Sequence, residues 1–353
     1  MRNTVGVTRL LVLGGTWFLG RQLVEDALAR GWEVTTFTRG RSGTPPEGAT
    51  QIPGDRSSVD DLRALAEAGP WDATIDTSAY DPYSVTSALD ALGEGGGRYV
   101  LISTVSAYRA WPGLAVSEKS LLWPGRPDAR ESDPDIAAME PRFQYGMLKA
   151  GCEAAAQSAP GGALVLRPGV ILGPGEYVGR LLSLFERARR GGRWLLSDPE
   201  RWIQPIDVRD LSAFALDMIQ AGATGDYNVA APPRGHATYA DLIDSVLEAS
   251  GGTAEPVWAA AQWLKDQGVQ QWTEIPLWRI DPGTWQVYQT KAASAGLQCR
   301  PLNETITDAW NDFGVRPPIS HPRRAEHGMD PSREADLLAK WDQISHGPVQ
   351  PRG

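Results

Sequence analysis

Cysteine and histidine are scarce in this 353-residue sequence: two of the former, Cys152 and Cys299, and four of the latter. The cysteines lie far apart and in no CxxC or Cys/His spacing. That excludes a disulfide scaffold and a zinc module, and it reads as packed thiols in a reducing cytoplasm. No metal is expected, because His321 and His327 lack a carboxylate-rich frame and His236 and His346 are isolated. Long apolar runs are missing too, and none approaches the ~18–20 residues of a membrane-spanning helix. The stretch Leu10-Leu11-Val12-Leu13, close behind Met1-Arg2-Asn3-Thr4, is too short for a signal peptide. Positive charge is outweighed: 34 Lys+Arg against 43 Asp+Glu give a formal charge of −9. This argues against a nucleic-acid partner and against an anionic membrane surface. With 42% hydrophobic and 22% charged residues, the chain reads as a soluble globular protein of about two domains, at ~150 residues each.

Short apolar or β-branched runs alternate with helical patterns through the first half. Strands are expected at Arg9–Leu13, Glu33–Thr38, Gln51–Pro53, Ala73–Asp76, Arg98–Ser103 and Ala163–Arg167, and helices at Phe18–Arg30, Val59–Ala68, Tyr83–Leu92 and Gln144–Ser158. Strands without polar alternation, each followed by a helix, imply a doubly wound parallel α/β sheet covered on both faces. Beyond about Gly173 the pattern loosens, and nine of the 14 tryptophans lie past residue 190. The expected division is a nucleotide-binding domain over 1–172, a smaller mixed α/β substrate domain over 173–314 with a return near 202–230, and a tail over 315–353. In that tail, between Pro317-Pro318 and Pro348 and Pro351, Asp330-Pro331 begins a short helix. Leu337, Leu338, Trp341 and Ile344 form its apolar face.

Gly14-Gly15-Thr16-Trp17-Phe18-Leu19-Gly20 joins the first strand to the first helix. In this strand–turn–helix setting Gly14 permits a tight turn and Gly20 close packing. The helix N-terminus then offers N–H groups to a dinucleotide diphosphate. Trp17 stands where a third glycine would let the backbone approach the phosphates, so its side chain either turns away or forms part of the site wall. At the end of the second strand no carboxylate is present to grip a ribose 2′-hydroxyl. Arg39 and Arg41 suit a 2′-phosphate, which favours NADP(H) over NAD(H), and Asp55-Arg56 are expected beside the adenine.

Tyr145 and Lys149 stand at i and i+4 of an expected helix, on one face. The ammonium would stabilise the phenolate of a base whose free pKa is near ~10. Ser103, Thr104 and Ser106 cluster at the end of the fifth strand, where side chains face the ligand crevice. A hydroxyl there would polarise a substrate oxygen.

Together with Leu166-Arg167-Pro168-Gly169-Val170 and Ile206-Asp207-Val208-Arg209-Asp210-Leu211, these motifs resemble the extended short-chain dehydrogenases/reductases of the NAD-dependent epimerase/dehydratase type, over residues 8 to 315. The resemblance implies a Thr104–Tyr145–Lys149 triad and a nicotinamide lined by Pro168, Gly169 and Val170. It also implies that Ser103, Thr77, Ser78 and Ala79 flank the cofactor, with substrate against Tyr80, Ser106 and Tyr108. Arg201, Trp202 and Gln204 are further substrate candidates. Sugar-nucleotide dehydratases of this type carry Asp-Glu after the triad Thr, whereas this chain has Val105-Ser106, so dehydration is not expected. The segment between Thr104 and Tyr145 is long, and it reads either as a cover for substrate or as a surface excursion. The function expected is NADP(H)-dependent hydride transfer at a carbonyl or carbinol carbon of a sugar-like or secondary-metabolite small molecule. Alternatives are an epimerase that retains its cofactor, or a non-catalytic NADP-binding or RNA-associated relative. A homodimer is the base-rate expectation for assembly.

Overall fold

A computed structural model describes residues 8–41, 43–316 and 321–345. Met1-Arg2-Asn3-Thr4, Pro317-Pro318, His346, Pro348 and Pro351 lie outside the described residues. The chain divides into two compact units. The first comprises the residues up to Ile171 together with Gln204–Pro232 and Pro282–Cys299. The second comprises Leu172–Ile203, Pro233–Asp281 and the chain from Arg300 onward.

The first unit is built on strands β1 (Arg9–Leu13), β2 (Glu33–Thr38), β3 (Thr50–Pro53), β4 (Ala73–Asp76), β5 (Arg98–Ile102) and β6 (Ala163–Pro168). The strand Gly225–Val229 joins them in one parallel sheet, in the order Gly225–Val229, β6, β5, β4, β1, β2, β3. Because side chains alternate along a strand, β1 feeds two cores. Leu10 and Val12 pack on helix α1 (Phe18–Ala29) and the helix Val208–Gln220. Leu11 and Leu13 face α2 (Val59–Ala68) and α3 (Pro82–Leu92). A third cluster seats the helix Pro141–Ala156 on β5 and β6 through Cys152, Ala155, Leu101 and Val165.

Chain order reverses on either side of β1, so the crevice for a ligand opens at the C-terminal ends of β1 and β4. The stretch 282–299 belongs to this unit, although the sequence pattern groups it with 173–314. Ala292 and Leu297 are buried in the same core as β1, and Val287 bridges to Val116.

The second unit pairs the strand Gly192–Ser197 in parallel with Ala254–Ala259, and it carries helices Arg180–Arg190, Tyr239–Ser250, Leu302–Val315 and Pro331–Ser345. The last of these is the tail helix, with Leu337 and Leu338 buried and Trp341 against Trp263 at 4.9 Å between ring centroids. Ile344 is exposed and not part of its packed face. Glu334 seats this helix: its buried carboxylate accepts from Arg187 Nε at 2.8 Å, Arg190 Nη2 at 3.1 Å and the Leu195 amide at 3.1 Å. Removing one partner of a buried pair leaves the other uncompensated. Glu334→Ala should therefore cost about 3 kcal/mol in urea denaturation of the full chain, and a loss below about 1 kcal/mol would show that the helix does not depend on it.

Candidate active site

The apolar run of β1 ends abruptly at Gly14, whose φ of 110° is followed by 104° at Gly15. A Cβ at Gly14 would meet Thr77 Oγ1 at 2.4 Å, and one at Gly20 would meet the Gly15 nitrogen at 2.8 Å. The turn and the first turn of α1 are therefore pressed together in a way only glycine allows. The first helical hydrogen bond runs from the Arg21 amide to Trp17 O. The Leu19 and Gly20 amides thus precede the helix's own ladder, at its positive end. This cradle fits a dinucleotide diphosphate. Trp17 caps the helix in extended backbone, φ −125° and ψ 147°, where glycine is not required. The strain falls on Phe18, with φ at 40°.

Thr77 and Ser78 hydroxyls both donate to Leu13 O, at 3.0 and 3.2 Å, stitching the end of β4 to the glycine turn. At the other end of the crevice Arg39 and Arg41 are exposed just beyond β2. Asp55 shares their corner: hydrogen bonds from the Ser57 amide and hydroxyl, helped by Arg39 and Arg41, hold its carboxyl below the ordinary value.

The helix Pro141–Ala156 brings up Tyr145, 39% exposed, and Lys149, buried one turn later. The Lys149 ammonium donates to Ala79 O and Ile102 O, both at 2.8 Å, so it sits across the ends of β4 and β5. Burial pushes its pKa below the ordinary lysine value. The Tyr80 ring, 57% exposed, lies 5.8 Å from Nζ. Thr104 caps a short turn, Val105–Ala107, and its hydroxyl oxygen accepts from the Ser106 amide at 3.2 Å. That bond uses a lone pair and not the hydroxyl proton. A Cβ at Gly146 would lie 2.5 Å from Ser106 O, so the helix touches this turn next to Tyr145. Pro168–Val170 follow at the end of β6, with the Gly169 amide on Val229 O and Val170 O accepting from Ile206.

Four residues expected to meet a ligand have their side chains engaged by other groups of the protein. Tyr108 is fully buried; its hydroxyl donates to Asn228 Oδ1 at 2.7 Å and accepts from Arg167, so it does not face a substrate. Gln204 is spent within the first unit, donating to Ala231 O and Val287 O and accepting from the Val287 amide. The Ser103 hydroxyl is buried and donates to Glu153 rather than to a cofactor. Arg56 is locked on buried Asp76 by bonds of 2.7 and 3.0 Å and donates to Ser84 O and the Ser78 hydroxyl, so its guanidinium is engaged within the fold. Burial alone would raise the Asp76 carboxyl; Arg56, Tyr99 and the Ser78 amide hold it below its usual value. Arg201 lies in the second unit, 3.5 Å from Asp198, and Trp202 beside it is exposed.

The long segment after Thr104 is fastened to its own unit: Tyr108 bridges Leu122, Trp111 Nε1 donates to Thr284 O, and the Glu131 amide to Asp81. Burial pushes both Cys152 and Cys299 thiols up to about 12, so neither is a reactive thiolate. Among the described residues no cluster of His, Cys, Asp or Glu suits a metal ion, and no helix is long and apolar enough to cross a membrane. Sequence reasoning missed Asp76, Glu153 and the role of Arg167. An isolated acidic residue on an apolar strand or helix face was the available signal.

Residues 10–230 match the NAD dependent epimerase/dehydratase family. The chain is 29% identical over 345 residues to a dTDP-6-deoxy-L-talose 4-dehydrogenase (NAD(P)(+)) of Kitasatospora kifunensis, covering 88% of this chain and 96% of that protein. Among solved structures it resembles a UDP-glucose 4-epimerase, with TM-score 0.65, 17% identity, and 89% and 99% of the two chains covered. It also resembles the Bordetella bronchiseptica enzyme WbmG in complex with NAD and UDP, with TM-score 0.65, 20% identity, and 90% and 99% covered. At these identities the structural likenesses speak for the fold; the family match spans more than half of the chain. The chain belongs to the NAD dependent epimerase/dehydratase family and is an NAD(P)-dependent enzyme of the extended short-chain dehydrogenase/reductase type.

Proposed function

We propose that this chain is an NADP(H)-dependent oxidoreductase acting on a ring carbinol or keto carbon of a nucleoside-diphosphate 6-deoxyhexose. The observation that carries this reading is the half-exposed Tyr145 one helical turn from Lys149, whose ammonium is held across the ends of β4 and β5. The relative from Kitasatospora kifunensis supports the substrate class. When bound, the nicotinamide supplies the carbon that takes or gives the hydride. Tyr145 takes the carbinol proton in oxidation and returns it in reduction, and Lys149 lowers the cost of the phenolate through its charge. Thr104 donates a hydrogen bond to the same substrate oxygen. Gly14, Gly15 and the start of α1 seat the diphosphate, with Thr16, Trp17, Phe18 and Leu19 around it. Pro168, Gly169 and Val170 line the nicotinamide, and Tyr80 and Ser106 meet the sugar.

The test is oxidation of dTDP-6-deoxy-L-talose with NADP+ or NAD+, followed by the absorbance of the reduced nicotinamide. Turnover that favours NADP+ supports the reading; a silent enzyme with both cofactors overturns it. If Arg39 reads the 2′-phosphate, Arg39→Ala should weaken NADPH binding about tenfold, the worth of one charge-assisted bond at an exposed site. Binding of NADH should stay unchanged. Equal losses for both cofactors, measured by fluorescence titration, would remove Arg39 from phosphate recognition.

A further inference from the structure

Behind the triad lies a buried carboxylate that the chemistry above does not use. Glu153 stands one turn beyond Lys149 on the same helix, and it is 3% exposed. It accepts from Arg167 Nε at 2.9 Å and from Arg167 Nη2 at 2.6 Å, a two-pronged clasp, and its remaining capacity is taken by the Ser103 hydroxyl. Arg167 also donates to Asp226 at 2.9 Å and to the Tyr108 hydroxyl at 2.9 Å.

Each partner adjoins a segment of the reaction site. Ser103 precedes Thr104 at the end of β5, Arg167 precedes Pro168–Val170 at the end of β6, and Glu153 shares a helix with Tyr145 and Lys149. We propose that Glu153 is a positioning residue, whose clasp on Ser103 and Arg167 holds the Thr104 hydroxyl, the Tyr145–Lys149 helix and the nicotinamide-facing strand end in one frame. Bidentate guanidinium–carboxylate pairs fix orientation as well as distance. A buried ion pair, by contrast, is a poor source of stability: apolar side chains of similar volume often replace it without loss. Orientation is therefore the property this cluster supplies, and a misplacement of about 1 Å can cost ~100-fold in rate.

This proposal rests on the triad reading above. Its test uses Ser103→Ala and the double substitution Glu153→Met/Arg167→Met, compared with wild type and Tyr145→Phe in two assays. The first is dTDP-6-deoxy-L-talose oxidation with NADP+; the second, which needs no sugar, is the fluorescence of bound NADPH. Both variants should melt close to wild type and bind NADPH within about threefold of its affinity, because the diphosphate cradle is intact. Their kcat should fall about 10–100-fold with KM little changed, and the emission enhancement of bound NADPH should be reduced. Wild-type kcat and wild-type emission in the variants overturn the proposal, because an apolar strut would then serve as well; should the double variant not fold, Ser103→Ala alone decides. An active Tyr145→Phe instead overturns the triad reading. If the wild type leaves the sugar untouched, the substrate assignment fails and the NADPH emission still decides whether Glu153 positions the site.

Discussion

Tyr145→Phe should lower kcat by ~10²–10⁴-fold, the range for a positioned acid/base, which is about 3–5.5 kcal/mol of barrier. The ring and its packing persist in this variant, and only the hydroxyl is lost. NADPH affinity should therefore stay within about twofold of wild type, since the glycine cradle at Gly14–Gly20 is untouched. Lys149 should keep its place as well, because its bonds go to Ala79 O and Ile102 O. Steady-state kinetics beside a fluorescence titration make the check. Loss of binding in parallel with rate would mean that Tyr145 serves the cofactor's seat rather than proton transfer.

The largest expected loss of stability is at Asp76. This carboxylate is fully buried and accepts from Arg56, from the Tyr99 hydroxyl at 2.7 Å and from the Ser78 amide at 3.0 Å. Asp76→Ala would leave the Arg56 charge and the Tyr99 hydroxyl buried without it, at about 3–5 kcal/mol. Against a total of ~5–15 kcal/mol for a typical protein, that is enough to unfold a sizeable fraction of molecules. The pH dependence has a definite sign. The folded-state pKa of Asp76 lies below its unfolded value. Its contribution is therefore complete above ~4 and is lost as pH falls through the lower folded value. Asp76→Asn should flatten the acid limb of the stability profile in that window, measured by urea denaturation at a series of pH values. An acid limb identical to wild type would show that other carboxylates carry it.

Most of the first unit is legible in the residues because one period dominates it. The strands of the first unit are short apolar runs between glycine or polar punctuation. All six expected in this half start within one residue of the observed position. The sequence pattern does not announce the helices Arg180–Arg190 and Val208–Gln220. The first carries three arginines in its last turn and begins after a left-handed Gly179, without a capping side chain; the second begins directly from the two-residue strand Ile206–Asp207.

The glycine cradle was readable because it is local in sequence, and so was the Tyr145–Lys149 spacing. Hydroxyls and charges near the strand ends were harder. Ser103 and Thr104 are neighbours, yet one turns inward to Glu153 and the other heads the turn that touches the Tyr145 helix. Arg56 and Tyr108 resembled ligand contacts by position, but their partners, Asp76 and Asn228, stand 20 and 120 residues away. Pairings of that range are decided by the tertiary fold, and a linear pattern carries no trace of them.

The Gly225–Val229 strand closes the edge of β6, and the stretch 282–299 completes the same core. During synthesis the ribosome must therefore deliver the polypeptide as far as Cys299 before the first unit is finished. A fragment cut after residue 172 would present the open hydrogen-bonding edge of β6 to its neighbours, an invitation to aggregate. Expressing that half by itself should yield inclusion bodies, whereas a fragment rejoined to residues 204–232 and 282–299 through short linkers should remain in solution.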